Sequence, residues 1–403
     1  MKHIIILGDG MADEPIESLG GKTVIEAAKT PYMDMLAKNG RCGMFATVPK
    51  GFKPGSEIAN MEVLGYSVAQ CFEGRGSLEA ASMGVDIKPG EMAMRCNIIC
   101  IADEKIKNHS AGHISNEEAK ILIEYLQEKL GDDVFTFHNG ISYRHLLIMK
   151  GGDKRIICTP PHDVPGTPFR DVMVKAAVPE AQSTADKLNE LTLRSQELLK
   201  NHPVNLKRMA EGKDPANSIW VWSPGYKPSM DTLAQKFGVK SGSVISAVDL
   251  IKGIGVYAGL KNIDVEGATG LYDTNYEGKA QAAINALKNG DDFVFLHVEA
   301  SDEAGHEGNV ALKVKTVEYL DSRIIGPIYE AVKDWDEPVT IAVLPDHPTP
   351  CAIKTHTANP IPFLIYYPGI EADATQCYSE KEAASKGGYG LIKGDEFMRI
   401  LFS

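Results

Sequence analysis

The chain has 403 residues, of which 43% are hydrophobic, and its formal net charge is −12. So acidic a protein lacks the positive surface that grips nucleic acid or an anionic membrane, and neither partner is expected. The length predicts two folding units. Seven scattered cysteines without C-x-x-C spacing, together with the lack of a long apolar run, predict a cytoplasmic protein with reduced thiols.

The first predicted element is the buried strand HIIILGDG, which ends at Asp9 between two glycines. In an open α/β sheet, ligands bind beyond the carboxyl ends of the strands, so a polar residue directly after a strand is a candidate for chemistry. Asp9 is therefore a candidate metal ligand. An ordinary turn aspartate is the alternative interpretation of this residue.

The second predicted feature is the helix start in KPGSEIAN, which contains Ser56 and, one turn later, Asn60. A serine in this place can cap the helix with its hydroxyl group. It can also act as a nucleophile, because the helix dipole and a nearby cation favour loss of its proton and attract a phosphoryl group. The sequence alone leaves both roles open.

The middle of the chain predicts a separate α+β unit. Its predicted helices cover 116–130 and 179–200, its predicted strands cover 94–101, 134–138 and 145–149, and a loop rich in Pro, Gly and His covers 158–170. The acidic and histidine motifs occur only before residue 60 and after residue 300. We therefore expect an insertion at 66–205 within a core formed by 1–65 and 206–403.

The last part of the chain returns to buried, β-branched strands, DFVFLHVEA from 292 and PVTIAVLPDH from 338. Helical periodicity at 278–289 and 309–333 alternates with them. This alternation predicts an α/β core of layered type with a mainly parallel sheet.

Histidine and carboxylate side chains cluster after these two strands. Asp302 and His306 are four residues apart, which places both on one face of a helical turn. Asp346 and His347 follow the next strand, and His356 lies nine residues further on. This donor set suits Zn²⁺ or Mn²⁺ rather than Mg²⁺, and two ions roughly 4 Å apart would suit in-line phosphoryl transfer. The alternative at each position is an ordinary residue of a solvated loop. This alternative would have to be true of all these positions at once.

The motifs DG at 9, GSEIAN from 55, DEAGH from 302, PDH from 345 and KTHT from 354 resemble the alkaline phosphatase superfamily, and within it the archaeal type of cofactor-independent phosphoglycerate mutase. GATGLYDTNYEGKA from 267 and VDLIKGIGVYAG from 248 extend the resemblance over nearly the whole chain. It implies an alkaline phosphatase-like three-layer core, interrupted by a smaller insertion domain that closes over the substrate as a lid.

The resemblance also implies the chemistry. One metal ion would be held by Asp302, His306 and His356, and the other by Asp9, Asp346, His347 and Ser56. Ser56 would carry a phosphoserine intermediate while 3-phosphoglycerate and 2-phosphoglycerate, two small phosphorylated metabolites of glycolysis, are interconverted. We expect a monomer or a small homo-oligomer.

The insertion departs from the family pattern. Archaeal members typically have D-R-x-A-G-R where this chain has NHSAGHIS, so His109 and His113 replace two arginines, and Trp222 stands where a further arginine is expected. Imidazole offers a weaker, pH-dependent contact to anions than guanidinium does. The candidate substrate ligands are Asn60, His109, His113 and Arg144.

Other functions therefore stay open. They are a homoserine kinase-like phosphotransferase of threonine biosynthesis, a phosphatase or phosphopentomutase acting on another metabolite, and a scaffold without activity. The chain has neither the P-loop pattern nor the glycine-rich loop of protein kinases to receive a nucleotide donor.

Overall fold

A computed structural model describes all residues, 1–403, in two compact units, Met1–Phe72 with Ser229–Ser403, and Glu73–Pro228. The strands in chain order are β1 (Lys2–Gly8), β2 (Arg41–Ala46), β3 (Glu91–Ala102), β4 (Lys105–Asn108), β5 (Phe135–Ile141), β6 (Arg144–Lys150), β7 (Ile156–Ile157), β8 (Lys175–Ala176), β9 (Ser218–Gly225), β10 (Gly242–Ile245), β11 (Lys261–Asn262), β12 (Phe293–Val298), β13 (Val339–Leu344), β14 (Ile361–Tyr366) and β15 (Leu391–Lys393).

The helices in chain order are α1 (Val24–Ala27), α2 (Pro31–Lys38), α3 (Ser56–Val63), α4 (Val68–Cys71), α5 (Arg75–Ser82), α6 (Asn116–Leu130), α7 (Gln182–Leu199), α8 (Pro203–Ala210), α9 (Leu233–Phe237), α10 (Asp249–Tyr257), α11 (Tyr276–Lys288), α12 (Ala300–Glu307), α13 (Val310–Leu320), α14 (Gly326–Val332), α15 (Glu380–Lys386) and α16 (Glu396–Leu401). None of these helices is both long and apolar enough to cross a membrane.

The first unit is built on an eight-stranded sheet with the order β11-β10-β12-β1-β13-β14-β2-β15. Only β14 runs antiparallel to its neighbours, so the predicted α/β class with a mainly parallel sheet is confirmed. β12 and β13 flank β1 and are buried along their whole length. Their continuous Val, Ile, Leu and Phe runs suit strands that are covered on both faces.

The second unit is built on an antiparallel sheet in which β3 pairs with β4, β6 and β9, and β6 pairs with β5. The predicted boundaries at 65/66 and 205/206 are displaced from the observed ones. The chain leaves the first unit after Phe72 and re-enters it at Ser229, because β9 pairs with β3 instead of joining the core sheet. Sequence patterns locate a strand but do not say which partner it pairs with.

Most predicted helices are confirmed, including α6 at its predicted bounds. The helix predicted at 309–333 is interrupted, since a π-helical turn at Asp321–Ile325 separates α13 from α14. Pro327 lies in the first turn of α14. Proline has no N–H to donate and its ring collides with the carbonyl four residues earlier, which explains why the regular hydrogen-bond ladder is broken here.

Candidate active site

The carboxyl ends of three neighbouring strands bring the candidate ligands together. Asp9 follows β1, Asp346 follows β13, and Asp302 lies on α12, which begins directly after β12. Gly10 makes this convergence possible. Its φ is +60°, and a side chain there would come within 2.5 Å of Asp302 Oδ1.

A first group of possible metal ligands consists of Asp9, Asp346 and His347, all buried, with donor atoms within 4.8 Å of one another. One oxygen of Asp346, Oδ1, accepts the backbone N–H groups of Gly10 at 3.0 Å and of His347 at 2.8 Å. Asp9 Oδ1 is buried without any hydrogen-bond partner. A buried carboxylate oxygen without a donor is costly, so this group fits a bound cation.

A second group consists of Asp302, His347 and His356, again within 4.8 Å of one another. His306 lies beside it, with Nε2 at 3.1 Å from Asp302 Oδ2 and at 3.0 Å from His356 Nε2. The Nδ1 atoms of His306 and His356 face the carbonyl oxygens of Lys354 and Pro54 at 3.1 and 3.4 Å. A carbonyl partner favours a proton on Nδ1, which leaves Nε2 of each ring as the atom that can bind a cation in place of donating to Asp302.

The proton affinities in this cluster reflect crowded, buried charges. Burial, reinforced by the neighbouring carboxylates of Asp346 and Asp302, raises the pKa of Asp9 well above its usual range. Burial also acts to raise the pKa of Asp302, but hydrogen bonds from His306 and His356 outweigh it and lower that pKa. The same bond to Asp302 raises the pKa of His306 to about 9. Carboxylates that repel one another in a buried site favour occupation by cations.

Ser56 is the first residue of α3, and the N-cap of this helix is Gly55. Ser56 is therefore not the N-cap residue of α3, which was one of its two predicted roles. Its hydroxyl oxygen lies 3.3 Å from Asp9 Oδ2 and 3.3 Å from His347 Nε2. The predicted nucleophile thus faces the first ligand group from the positive end of a helix.

Asn60 is fully buried one turn further along α3. Its amide group donates to the backbone oxygen of Ser56 and to Asp346 Oδ2, each at 2.9 Å. Asn60 therefore orients Asp346, and the substrate contact expected of it stays a prediction.

His297 is a member of this site that the sequence interpretation missed. It lies within β12 with 0% exposure, and its Nε2 is 2.8 Å from Asp9 Oδ2. The only signal was a single histidine inside an otherwise apolar strand, FVFLHV. That pattern alone does not distinguish a functional histidine from one that packs in the core.

The other predicted substrate ligands lie in the second unit. The rings of His109 and His113 contact Tyr143 edge-on, with centroids 5.5 and 6.2 Å away, and Arg144 is exposed at the start of β6. His162, which was not predicted, has its ring centroid 6.0 Å from that of His109.

Trp222 also belongs to this group of ring contacts. Its centroid lies 5.4 Å from that of His162, and its indole N–H donates to Asn97 Oδ1 at 3.1 Å. The guanidinium of Arg95 stacks over the Trp222 ring at 4.2 Å. The second unit therefore brings imidazole, aromatic and guanidinium groups close to one another, with Arg95 and Trp222 on paired strands β3 and β9.

A family model described as "2,3-bisphosphoglycerate-independent phosphoglycerate mutase" matches residues 37–205. Curated relatives with that name include a protein of Methanosarcina barkeri, 50% identical over 403 residues, which cover 100% of this chain and 99% of the relative. A protein of Geobacter sulfurreducens, named as a probable enzyme of this kind, is 45% identical over 405 residues, with 100% and 99% coverage.

Two solved structures are also similar. The PH0037 protein of Pyrococcus horikoshii is 32% identical with a TM-score of 0.83, over 99% of this chain and 96% of that one. The cofactor-independent phosphoglycerate mutase of Thermoplasma acidophilum is 24% identical with a TM-score of 0.67, over 99% and 98% of the two chains, and supports the fold alone.

Proposed function

The chain belongs to the 2,3-bisphosphoglycerate-independent phosphoglycerate mutase family, and on this premise we propose that it interconverts 3-phosphoglycerate and 2-phosphoglycerate through a phosphoserine at Ser56. The observation that carries the mechanism is the position of the Ser56 hydroxyl, 3.3 Å from both Asp9 and His347 at the start of α3. This places a nucleophile beside buried acceptors for its proton and at the positive end of a helix, which favours a phosphoryl group.

The reaction proceeds by two phosphoryl transfers. Ser56 Oγ forms a bond to phosphorus, and the ester bond to the C3 oxygen of 3-phosphoglycerate breaks, with the serine proton passing to the cluster and a proton returning to the departing oxygen. The glycerate turns, its C2 hydroxyl gives its proton to the cluster as its oxygen attacks the phosphoserine, and Ser56 Oγ leaves and takes up a proton. Water must be kept out meanwhile, because it would hydrolyse the phosphoserine.

Two divalent metal ions, Mn²⁺ or Zn²⁺, are part of the proposal. The first would be held by Asp9, Asp346, His347 and Ser56, and the second by Asp302, His306 and His356. When bound, such ions supply electrostatic stabilisation of a serine alkoxide and of phosphoryl oxygens. The unpartnered oxygen of Asp9 and the inward-facing imidazole nitrogens of His306 and His356 support these sites.

The substrate is a small phosphorylated metabolite. We propose that His109, His113 and Arg144 contribute to binding its anionic groups, supported by their grouping around Tyr143 in the second unit. We also infer a cytoplasmic monomer or small homo-oligomer, since all seven cysteines are unpaired and five of them are buried.

The experiment is a parallel assay of the purified protein, stripped of metal and reloaded with Mn²⁺ or Zn²⁺. The substrates are 3-phosphoglycerate, homoserine with ATP, and p-nitrophenyl phosphate, each tested with the wild type and with Ser56→Ala. We expect turnover of 3-phosphoglycerate by the wild type that is lost in the variant. Phosphorylation of homoserine without mutase turnover would replace the proposal by the kinase-like alternative, and hydrolysis alone would replace it by a phosphatase.

A further inference from the structure

A buried chain of hydrogen bonds runs from Ser246 through His297 to Asp9. Ser246 Oγ lies 3.1 Å from His297 Nδ1, and His297 Nε2 lies 2.8 Å from Asp9 Oδ2. We infer that His297 is a positioning residue that fixes the orientation of the Asp9 carboxylate, so that one oxygen faces the metal while the other receives the Ser56 hydroxyl. This inference rests on the proposed function of the site.

The direction of each hydrogen bond in the chain follows from its neighbours. As a metal ligand Asp9 is an ionised carboxylate that only accepts, so His297 must carry its proton on Nε2. His297 Nδ1 is then an acceptor, and the proton it receives is that of the Ser246 hydroxyl. Ser246 Oγ in turn accepts the backbone N–H of Val248 at 3.0 Å. Both ring nitrogens of His297 and the hydroxyl of Ser246 have a partner in this single arrangement.

The two oxygens of Asp9 consequently differ. Oδ2 faces His297 Nε2 and the Ser56 hydroxyl, whereas Oδ1 is buried without a hydrogen-bond partner. Rotating the carboxylate away from His297 would leave the His297 N–H without an acceptor in the interior, which is unfavourable. The contact from His297 Nε2 to Oδ2, at 2.8 Å, is shorter than that from the Ser56 hydroxyl, at 3.3 Å, so the loss of His297 removes the stronger restraint on the ligand carboxylate.

His297 is itself held firmly. It has 0% exposure within β12, and its backbone oxygen accepts a hydrogen bond from the buried ammonium of Lys279 at 3.2 Å. A leucine at this position would fill the strand without any polar group to satisfy, so packing alone does not account for an imidazole. An outer group that orients a metal ligand typically changes metal affinity 10–100-fold when it is lost.

The test compares His297→Leu, which removes the donor, with His297→Gln, whose amide N–H can still reach Asp9. Ser246→Ala removes the hydroxyl that donates to His297 Nδ1, and Ser246→Thr retains it. The matched control is Ser243→Ala, because Ser243 is also buried, lies on neighbouring β10, and donates its hydroxyl to Asp291 rather than to the site. The readouts are Zn²⁺ affinity by calorimetry, kcat and KM for 3-phosphoglycerate, and the thermal midpoint.

We expect His297→Leu to weaken Zn²⁺ binding about 10–100-fold and to lower kcat at nearly unchanged KM. His297→Gln and Ser246→Thr should recover most of this loss. If His297→Leu is folded and binds Zn²⁺ like the Ser243→Ala control, with an equal kcat, the inference is overturned and His297 is a packing residue.

A second measurement does not depend on the variants folding. ¹⁵N-histidine NMR of the wild type loaded with diamagnetic Zn²⁺ reports the tautomer of each imidazole, and we expect the Nε2–H form for His297. The Nδ1–H form would overturn the inference. Lack of 3-phosphoglycerate turnover by the wild type would instead contradict the proposed function, so the two failures are distinguishable.

Discussion

The ammonium of Lys313 lies 2.8 Å from the carboxylate of Asp13, and both side chains are almost completely buried. The same ammonium donates to the backbone oxygens of Ala12 at 3.0 Å and of Thr349 at 2.8 Å, so all three of its protons are used. Because Ala12 and Asp13 follow Asp9, and Thr349 follows Asp346 and His347, Lys313 joins the two loops that present the first ligand group.

Replacing Lys313 by methionine should therefore be strongly destabilising. The buried Asp13 carboxylate would lose its counter-charge, a change that typically costs about 3–5 kcal/mol. Urea unfolding of the metal-free protein measures this free energy. The control is Lys315→Met, two residues along α13, where an exposed lysine pairs with Glu318 at 3.7 Å and contributes at most about 1 kcal/mol. Equal losses of unfolding free energy in the two variants would show that the buried ion pair contributes no more to stability than the exposed one.

Ser56→Ala should abolish mutase turnover, lowering kcat at least ~1,000-fold, because the group that accepts the phosphoryl in the first transfer and releases it in the second is removed. The thermal midpoint should hardly change, since the Ser56 hydroxyl caps no helix. Ser67→Ala is the matched control, an exposed serine at the N-cap of α4 that makes no side-chain capping bond. Near-normal turnover in Ser56→Ala would show that another group carries the phosphoryl.

Metal analysis should separate the two ligand groups. Asp9→Asn is expected to lower the bound divalent metal from about two ions per chain to about one, and Asp302→Asn should do the same at the other site, since neutral amides replace anionic ligands. His347→Ala should affect both sites, because His347 belongs to both groups. Plasma emission spectrometry after dialysis gives the stoichiometry. The exposed Asp334→Asn is the control, and fewer than one ion in the wild type contradicts the metal proposal.

Arg144→Ala should raise KM for 3-phosphoglycerate about tenfold with little change in kcat, which corresponds to the loss of one charge-assisted hydrogen bond. Arg144 is exposed at the start of β6 and forms no ion pair within 4.0 Å. Arg170→Ala is the comparison, since Arg170 is exposed and pairs with Glu104 at 3.4 Å. An unchanged KM in Arg144→Ala would show that Arg144 does not contribute to substrate binding.

Acid should destabilise the second unit through His145. Burial lowers the pKa of His145 to about 3, and its Nδ1 accepts the backbone N–H of Gly140 at 3.0 Å, which requires the neutral ring. The neutral form is stabilising at pH values above the ordinary pKa near 6.5, and this stabilisation is lost as the pH falls from there toward 3.

At pH 5 the loss relative to pH 7.5 amounts to about 2 kcal/mol. His145→Gln cannot be protonated, so its stability should fall less over this interval. Denaturant unfolding of the metal-free proteins at both pH values gives the difference between wild type and variant. Parallel pH profiles would mean that His145 does not contribute to the acid sensitivity.

Apolar patterning and residue spacing were sufficient to predict the α/β class and the residues of the candidate site other than His297. The apolar runs before Asp9 and Asp346 identified buried strands, and the carboxyl ends of parallel strands share one edge, so residues far apart in sequence could be expected to meet. Local spacing was enough for Asp302 and His306, because residues four apart lie on one face of a helix. Helix periodicity gave α6 its bounds for the same local reason.

The tertiary structure alone decided how these residues are supported and shared. The pairing of β9 with β3 set the boundary of the second unit, and the buried bonds of His297 and Lys313 were invisible in the sequence. His347 joins both ligand groups only because the two groups are adjacent in space. Each of these features depends on contacts between distant segments, which residue type and local periodicity do not encode.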